Sequence, residues 1–254
     1  MMLMKYLVPF FFVLAIGVAG CDPESPQKPL ANENPSKPGL AAAPDAIADR
    51  SVSLDRYSDL NAEPHGLALT YVLTAWDKQQ EVLDDDQLLS RLSPTFHNEA
   101  DAFKRRSLAE TERPKVEKKL ETYGAQQYFK LPVGGQLSDT FALNALSIGA
   151  YDFARRGFPI ASYGASCWSA SLRNPQGAYL KIEQGSVDCL LPVEDEAEAQ
   201  AIESARASGG LKVRGDLYIF VRSIAGGTAH AIPVHARIEL VDVRTETLLG
   251  TVVL

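Results

Sequence analysis

The 254-residue chain is poor in sulfur and in imidazole, with three cysteines, three methionines and four histidines. None of them forms an H-E-x-x-H or C-x-x-C set, which excludes the common zinc arrangements. Positive charge is also in deficit. The 25 basic and 32 acidic residues give a formal charge of −7, so a dedicated nucleic-acid binder with a basic footprint is not expected. No P-loop, dinucleotide fingerprint or G-x-S-x-G elbow occurs, and no cofactor is expected. The acidic triplet Asp84-Asp85-Asp86 lacks the glycine and the glutamate of a calcium loop, so it reads as a helix cap instead. No apolar run reaches the about 20 residues of a spanning helix.

What is present is an ordinary globular composition, 46% hydrophobic and 22% charged, behind an unusual beginning. Lys5 supplies a positive start, and Tyr6 to Val18 is apolar apart from Pro9 and Gly17. The stretch ends in Val18-Ala19-Gly20-Cys21. That quartet resembles the lipobox of bacterial lipoproteins, and the resemblance covers the first 21 residues only. It implies cleavage before Cys21, acylation of the Cys21 sulfur and of the new amino terminus, and anchoring to a bacterial membrane facing the periplasm. Several acyl chains hold a protein stably where one does not. Asp22, directly after the cysteine, resembles the signal that retains such proteins on the inner membrane.

Residues 22–50 carry six of the fifteen prolines with Ser, Asn, Lys and Ala between them. Such a stretch buries too little apolar surface to fold and reads as a tether, with an extended reach of at most about 90 Å. Four segments follow from this reading: a signal peptide over 1–20, a lipidated tether over 21–50, a helical part over 51–125 and a strand-rich part over 126–254. The last two are expected to form one unit of α+β class, helices first and then a mostly antiparallel sheet with one inserted helix.

In the helical part, Pro64 suits a first helical turn, and Leu69, Val72, Leu73, Trp76 and Leu83 recur at helical spacing. The acidic triplet precedes Leu88, Leu89 and Leu92. A third helix is expected over 98–109 with Ala100 and Phe103 inward. A fourth opens at Pro114 behind Thr111 or Glu112, buries Val116, Leu120 and Tyr123, and ends at Gly124. Strands are expected over 127–133, 140–153 and 160–172. A turn at Asn174-Pro175-Gln176-Gly177 leads into alternating Ala178, Leu180 and Ile182. A helix over 193–207 should turn Val193, Ala197, Ala201, Ile202 and Ala205 inward. The segments 211–224, 230–243 and 248–254 then read as a terminal antiparallel meander.

If Cys21 is lipidated, Cys167 and Cys189 are left as a pair 22 residues apart, and in an oxidising compartment a disulfide is the simplest outcome. A plain hairpin on the 174–177 turn would set Cys167 opposite Gln184, so the bond requires the chain to bend back at Gly185-Ser186. Two enzymatic resemblances compete with it. Gly164-Ala165-Ser166-Cys167-Trp168 is similar to the nucleophile segment of papain-like proteases, but only 87 residues follow the cysteine, too few for the family's downstream histidine. Asp188-Cys189 resembles the start of the nucleophile motif in cell-wall cysteine peptidases, with His230 or His235 as base. Leu190 stands where that family has serine. His230 and His235 are an odd number of residues apart, so on a regular strand they face opposite sides and share no metal.

One charge cluster remains. Lys104, Arg105, Arg106, Arg113, Lys115, Lys118 and Lys119 lie among Glu110, Glu112 and Glu117. It reads as a possible interaction surface for anionic lipid or an acidic partner, or as a solvated helix face. Three functional expectations result: a non-enzymatic binding module of the cell envelope, engaging an envelope protein or cell-wall component; a cysteine-dependent cell-wall peptidase; and a sensor of anionic lipid surfaces through the basic helix.

Overall fold

A computed structural model describes residues 47–80, 84–144, 146–161 and 166–254, with backbone alone for 77–80. The expected signal sequence, Cys21, Asp22, most of the expected tether and Leu83 lie outside the described residues. All described residues belong to one compact unit.

The helices come first, as expected from the pattern. Pro64–Gly66 forms only a 3-10 turn, because His65 and Gly66 take positive φ of 56° and 66°. Helix α1 (Leu67–Gln80) starts after this kink and buries Leu69, Val72 and Leu73. Helix α2 (Asp85–Leu92) is capped by Asp84, whose carboxylate accepts from the Gln87 N–H at 2.8 Å. Ser93 then caps a five-residue helix α3 (Pro94–Asn98) that the periodicity did not reveal.

The two helices expected over 98–124 are a single helix, α4 (Ala102–Gly124), capped by Asp101 with Pro114 in its interior. Proline in a helix interior costs about 3 kcal/mol through its missing N–H and its clash with the preceding turn. Apolar burial on both sides of it outweighs that cost. Leu108 and Ala109 before Pro114, and Val116, Leu120 and Tyr123 after it, join the same core. This stripe turns Ala100 and Phe103 outward, and Phe103 is 89% exposed. Tyr71 of α1 stacks on Tyr123 of α4 and donates its hydroxyl to the Leu92 carbonyl at 3.1 Å, which locks three helices together.

The strand-rich part is built on a long hairpin. Strands β8 (Leu211–Ala225) and β9 (Thr228–Asp242) pair along their full length across the Gly226-Gly227 turn. On the other edge of β8 runs β2 (Tyr128–Val133), itself flanked by the two-residue parallel strand β1 (Ser58–Asp59). The other edge of β9 is shared: β6 (Tyr179–Ile182) pairs with its first half in parallel, and β10 (Thr247–Val253) with its second half antiparallel. Strand β5 (Ala170–Arg173) completes the seven-stranded sheet through the 174–177 turn. The expected strand over 140–153 shrinks to β3 (Ser147–Ile148), and that over 160–172 divides into β4 (Gly157–Ala161) and β5. Strands β3, β4 and β7 (Leu190–Pro192) make a separate three-stranded sheet. The class is α+β, as the sequence suggested, and the meander over the last 44 residues matches closely.

The inserted helix α5 (Glu196–Ala207) is capped by Asp195 and buries Ala199, Ile202 and Ala205. Ala197 and Ala201 face solvent instead, because the helix starts three residues later than the apolar pattern implied. One inner face of the large sheet, with Phe129, Leu131, Leu217 and Ile219, shares its core with Leu69, Leu73, Leu120 and Ile202 from the helices. Two amides fasten the layers, Asn61 half-buried and Asn174 buried. Asn61 donates to the Phe141 carbonyl and accepts from its N–H. Asn174, in the β5–β6 turn, donates to the Gly66 carbonyl and to Thr70 of α1 and accepts from the Ala178 N–H.

Candidate functional site

Cys167 and Cys189 are bonded, with Cα atoms 5.7 Å apart. The bend required of Gly185 is real. Its Cα lies so close to the Pro233 backbone that a Cβ would stand 2.5 Å from that carbonyl oxygen. Leaving the β5–β6 hairpin there, the chain carries Cys189 beside β4, where its carbonyl accepts from the Ile160 N–H at 2.9 Å. A thiolate is the nucleophile in cysteine hydrolysis, and neither sulfur is one while the bond stands. Part of the papain-like segment, Gly164 and Ala165, lies outside the described residues.

The histidines are not assembled with either cysteine. His230 Nδ1 lies 3.2 Å from Glu183, and His235 Nε2 lies 3.1 Å from the Arg50 carbonyl. Contrary to the odd-spacing expectation, both are on the same, outer face of the sheet. A bulge at Val234, between the pairs Tyr218–His235 and Ile219–Pro233, shifts the alternation by one residue. Ala229 and Ala231 are in the core before it, and Ala236, Ile238 and Leu240 after it. Among the described residues no group of His, Cys, Asp and Glu is arranged to hold a metal ion.

That outer face has two zones. The first is aromatic: Tyr57, Tyr128, Tyr218 and Phe220 meet at centroid distances of 5.0–5.3 Å. The chain before Tyr57 reaches this face at two points, where Asp49 N–H donates to the Tyr128 hydroxyl and where the Arg50 carbonyl meets His235. The second zone is charged. Glu183 pairs with Arg222, His230 and Lys181. Partial burial alone would raise its carboxyl, but these three partners hold it below the ordinary value. Arg173 lies over the Tyr179 ring at 4.9 Å nearby. Neither Glu183 nor Arg222 carried a local signal. Arg222 occupies a second bulge, between Val221 and Ser223, and Glu183 follows the end of β6.

The basic cluster on α4 is mostly committed to structure. Arg105 donates to Ser90 and covers Phe96 at 4.4 Å, Arg113 pairs with Asp85, Lys115 with Glu112 and Lys119 with Glu63. Lys104, Arg106 and Lys118 are exposed and make no ion pair among the described residues. At about 100° per residue, Lys104 and Lys118 fall on one side of the buried stripe and Arg106 on the other. The seven cations therefore do not form one continuous basic face.

A groove of about 630 Å³ opens between the 133–148 segment and the end of α5 with the start of β8. Leu137, Leu143, Leu146 and Ile148 line one wall, Leu211 and Val213 the other, with Arg206 and Lys212 at its margin. Arg206 is held by Glu203, whose carboxyl this guanidinium keeps below its ordinary value. In the sequence Leu211 and Val213 carry only a strand signal, since no sequence pattern shows where a neighbouring strand stops. Compared with models of known protein families, with characterised proteins and with solved structures, the chain matches none.

Proposed function

We propose that this chain is a lipoprotein of the bacterial envelope, anchored through acylated Cys21 and facing the periplasm, whose body is a binding module for an envelope protein. The observation that carries this reading is the division of labour among three cysteines. Cys167 and Cys189 are joined in a disulfide, a bond at home in oxidising compartments, and Cys21 alone is left at the end of the lipobox. Supporting it are the proline-rich 22–50 stretch, which is suited to a spacer, and a groove on the body walled by leucine, isoleucine and valine side chains. Asp22 favours retention on the inner membrane.

Metabolic labelling with a clickable palmitate analogue in a bacterial host tests the anchor. The expected result is a labelled protein in the membrane fraction, and an unlabelled, uncleaved or released product for Cys21→Ser. Equal labelling of both proteins, or none of either, would sink the anchor. In-cell crosslinking of the anchored protein tests the module, with a discrete crosslinked partner expected.

A further inference from the structure

We infer that the groove beside the start of β8 docks an extended, apolar peptide segment of a partner protein, added as a strand to the open β8 edge, with an acidic side chain of that peptide held by Lys212. The inference deepens the reading of the body as a binding module and rests on it.

The backbone makes the first case. Strand β8 runs from Leu211 to Ala225, but β2 pairs with it only as far as Val133 opposite Gly215. On the opposite side β9 continues to Asp242 opposite Leu211. Within a strand, alternate residues direct their polar groups to alternate sides. Val221 N–H donates to Gln127 on the β2 side, and Gly210 accepts from Val243 on the β9 side. The odd-numbered members of β8 therefore point towards β2, and for Leu211 and Val213 no β2 residue is there. Neither backbone has another partner among the described residues.

The cause of the vacancy is Gly134. With φ of +61° it turns the chain out of β2, and its Cα lies against the Val213 carbonyl so closely that a Cβ would stand 2.1 Å from that oxygen. Leu211 thus offers both an N–H and a carbonyl to a new strand, and Val213 its N–H. Unpaired strand edges are templates for an added strand, and proteins that do not use them commonly cover or charge them. Here the edge is flanked by apolar side chains instead, and Leu137 is fully exposed at its margin.

Charge makes the second case. In a chain of net −7, the residues lining this groove include two cations and no acid. Lys212 is exposed and forms no ion pair among the described residues. The complement is a peptide with alternating apolar residues for the wall of Leu143, Leu146 and Ile148 and a carboxylate near Lys212.

Selection from a random library of displayed peptides against the full chain, held in mild detergent, tests this. Enrichment of peptides with alternating apolar residues and an acidic position is expected. Val213→Pro removes a backbone donor that has no partner among the described residues and blocks the edge, so it should weaken the enriched peptides at least tenfold. Lys212→Glu, an exposed substitution that leaves the ladder untouched, should weaken them several-fold and lose its effect when the peptide's acid is replaced by lysine. Amide exchange at Leu211 and Val213 should slow on binding. A selection that enriches nothing, or peptides that bind both variants as they bind the parent, would overturn the proposal. Because the selection does not depend on acylation or on a host partner, its failure would leave the palmitate and crosslinking results standing, and their failure would leave the groove standing.

Discussion

The indole N–H of Trp168 donates to the Asp188 carbonyl at 3.0 Å, so the residue after one half-cystine is bonded to the residue before the other. Trp168 is buried, which places this contact and the disulfide in one apolar setting. Closing a loop of 22 residues contributes about 3 kcal/mol in the chain-entropy description. Replacing both cysteines by alanine should lower unfolding stability by about that amount in a urea titration. Trp168→Phe keeps most of the volume but strands the Asp188 carbonyl, at a cost of about 1–3 kcal/mol. If reduction of the bond leaves the urea midpoint unchanged, the crosslink adds nothing to the fold.

Asn174 is 2% exposed and joins the β5–β6 turn to α1 by two donated bonds, while accepting one from Ala178. Alanine there leaves a buried carbonyl, a hydroxyl and an N–H to find new partners. A loss of about 2–4 kcal/mol is expected. Helix and sheet signals should still melt together, because the core is continuous across the two parts. Separate transitions for the far-ultraviolet helix signal and for Trp168 fluorescence, read in a Trp76→Phe background because Trp76 lies in α1, would show instead that the layers are independent.

Glu183 gives the stability a pH dependence of known sign. Its folded carboxyl is held below the ordinary 4.5, so its ion pairs stabilise the fold above that value and are lost as pH falls through the lowered one. Glu112, bonded to Lys115 and Ser93, acts in the same direction. Urea midpoints measured at pH 7 and pH 3.5 should therefore differ more for the parent than for Glu183→Gln. At pH 7 the Gln variant should be the less stable of the two, since Arg222 loses its partner. Parallel pH profiles for the two proteins would remove Glu183 from the acid sensitivity.

Tyr57 presents the opposite case. Burial is the main influence pushing its hydroxyl up to about 12, and that hydroxyl has no hydrogen-bond partner among the described residues. Tyr57→Phe removes an unsatisfied polar atom while keeping the edge-on contacts with Tyr128 and Tyr218. The variant should be as stable as the parent or more stable by about 1 kcal/mol. A clear fall in melting temperature would mean that the hydroxyl has a partner in solution.

The sequence was readable where a single period ran undisturbed. The alternation of Leu180 and Ile182 against Tyr179 and Lys181, the cap at Asp84 and the terminal meander all have local causes. The Cys167–Cys189 pairing was readable from cysteine number and separation, though only the structure shows the close approach of Gly185 to Pro233 that permits it. Failures occurred where tertiary packing overrode a local signal. Pro114 read as a helix start, yet buried residues on both sides of it carry the helix through. The long apolar segment over 140–153 read as a strand, but Phe141 fills the core from a loop beside Asn61, Tyr151 packs against the core half-buried, and Phe153 is exposed. The groove was hidden altogether, because an open strand edge depends on where a distant strand turns away.

The bulge at Val234 gives the sheet a reading frame. Upstream of it the odd-numbered residues of β9 face the core, and downstream the even-numbered ones do. Deleting that one residue would act like a frameshift within a strand: His235, Arg237 and Glu239 would be driven into the interior, and Ala236, Ile238 and Leu240 out into water. A conservative replacement such as Val234→Ile keeps the count and should be tolerated, so at this position the number of residues matters more than their identity.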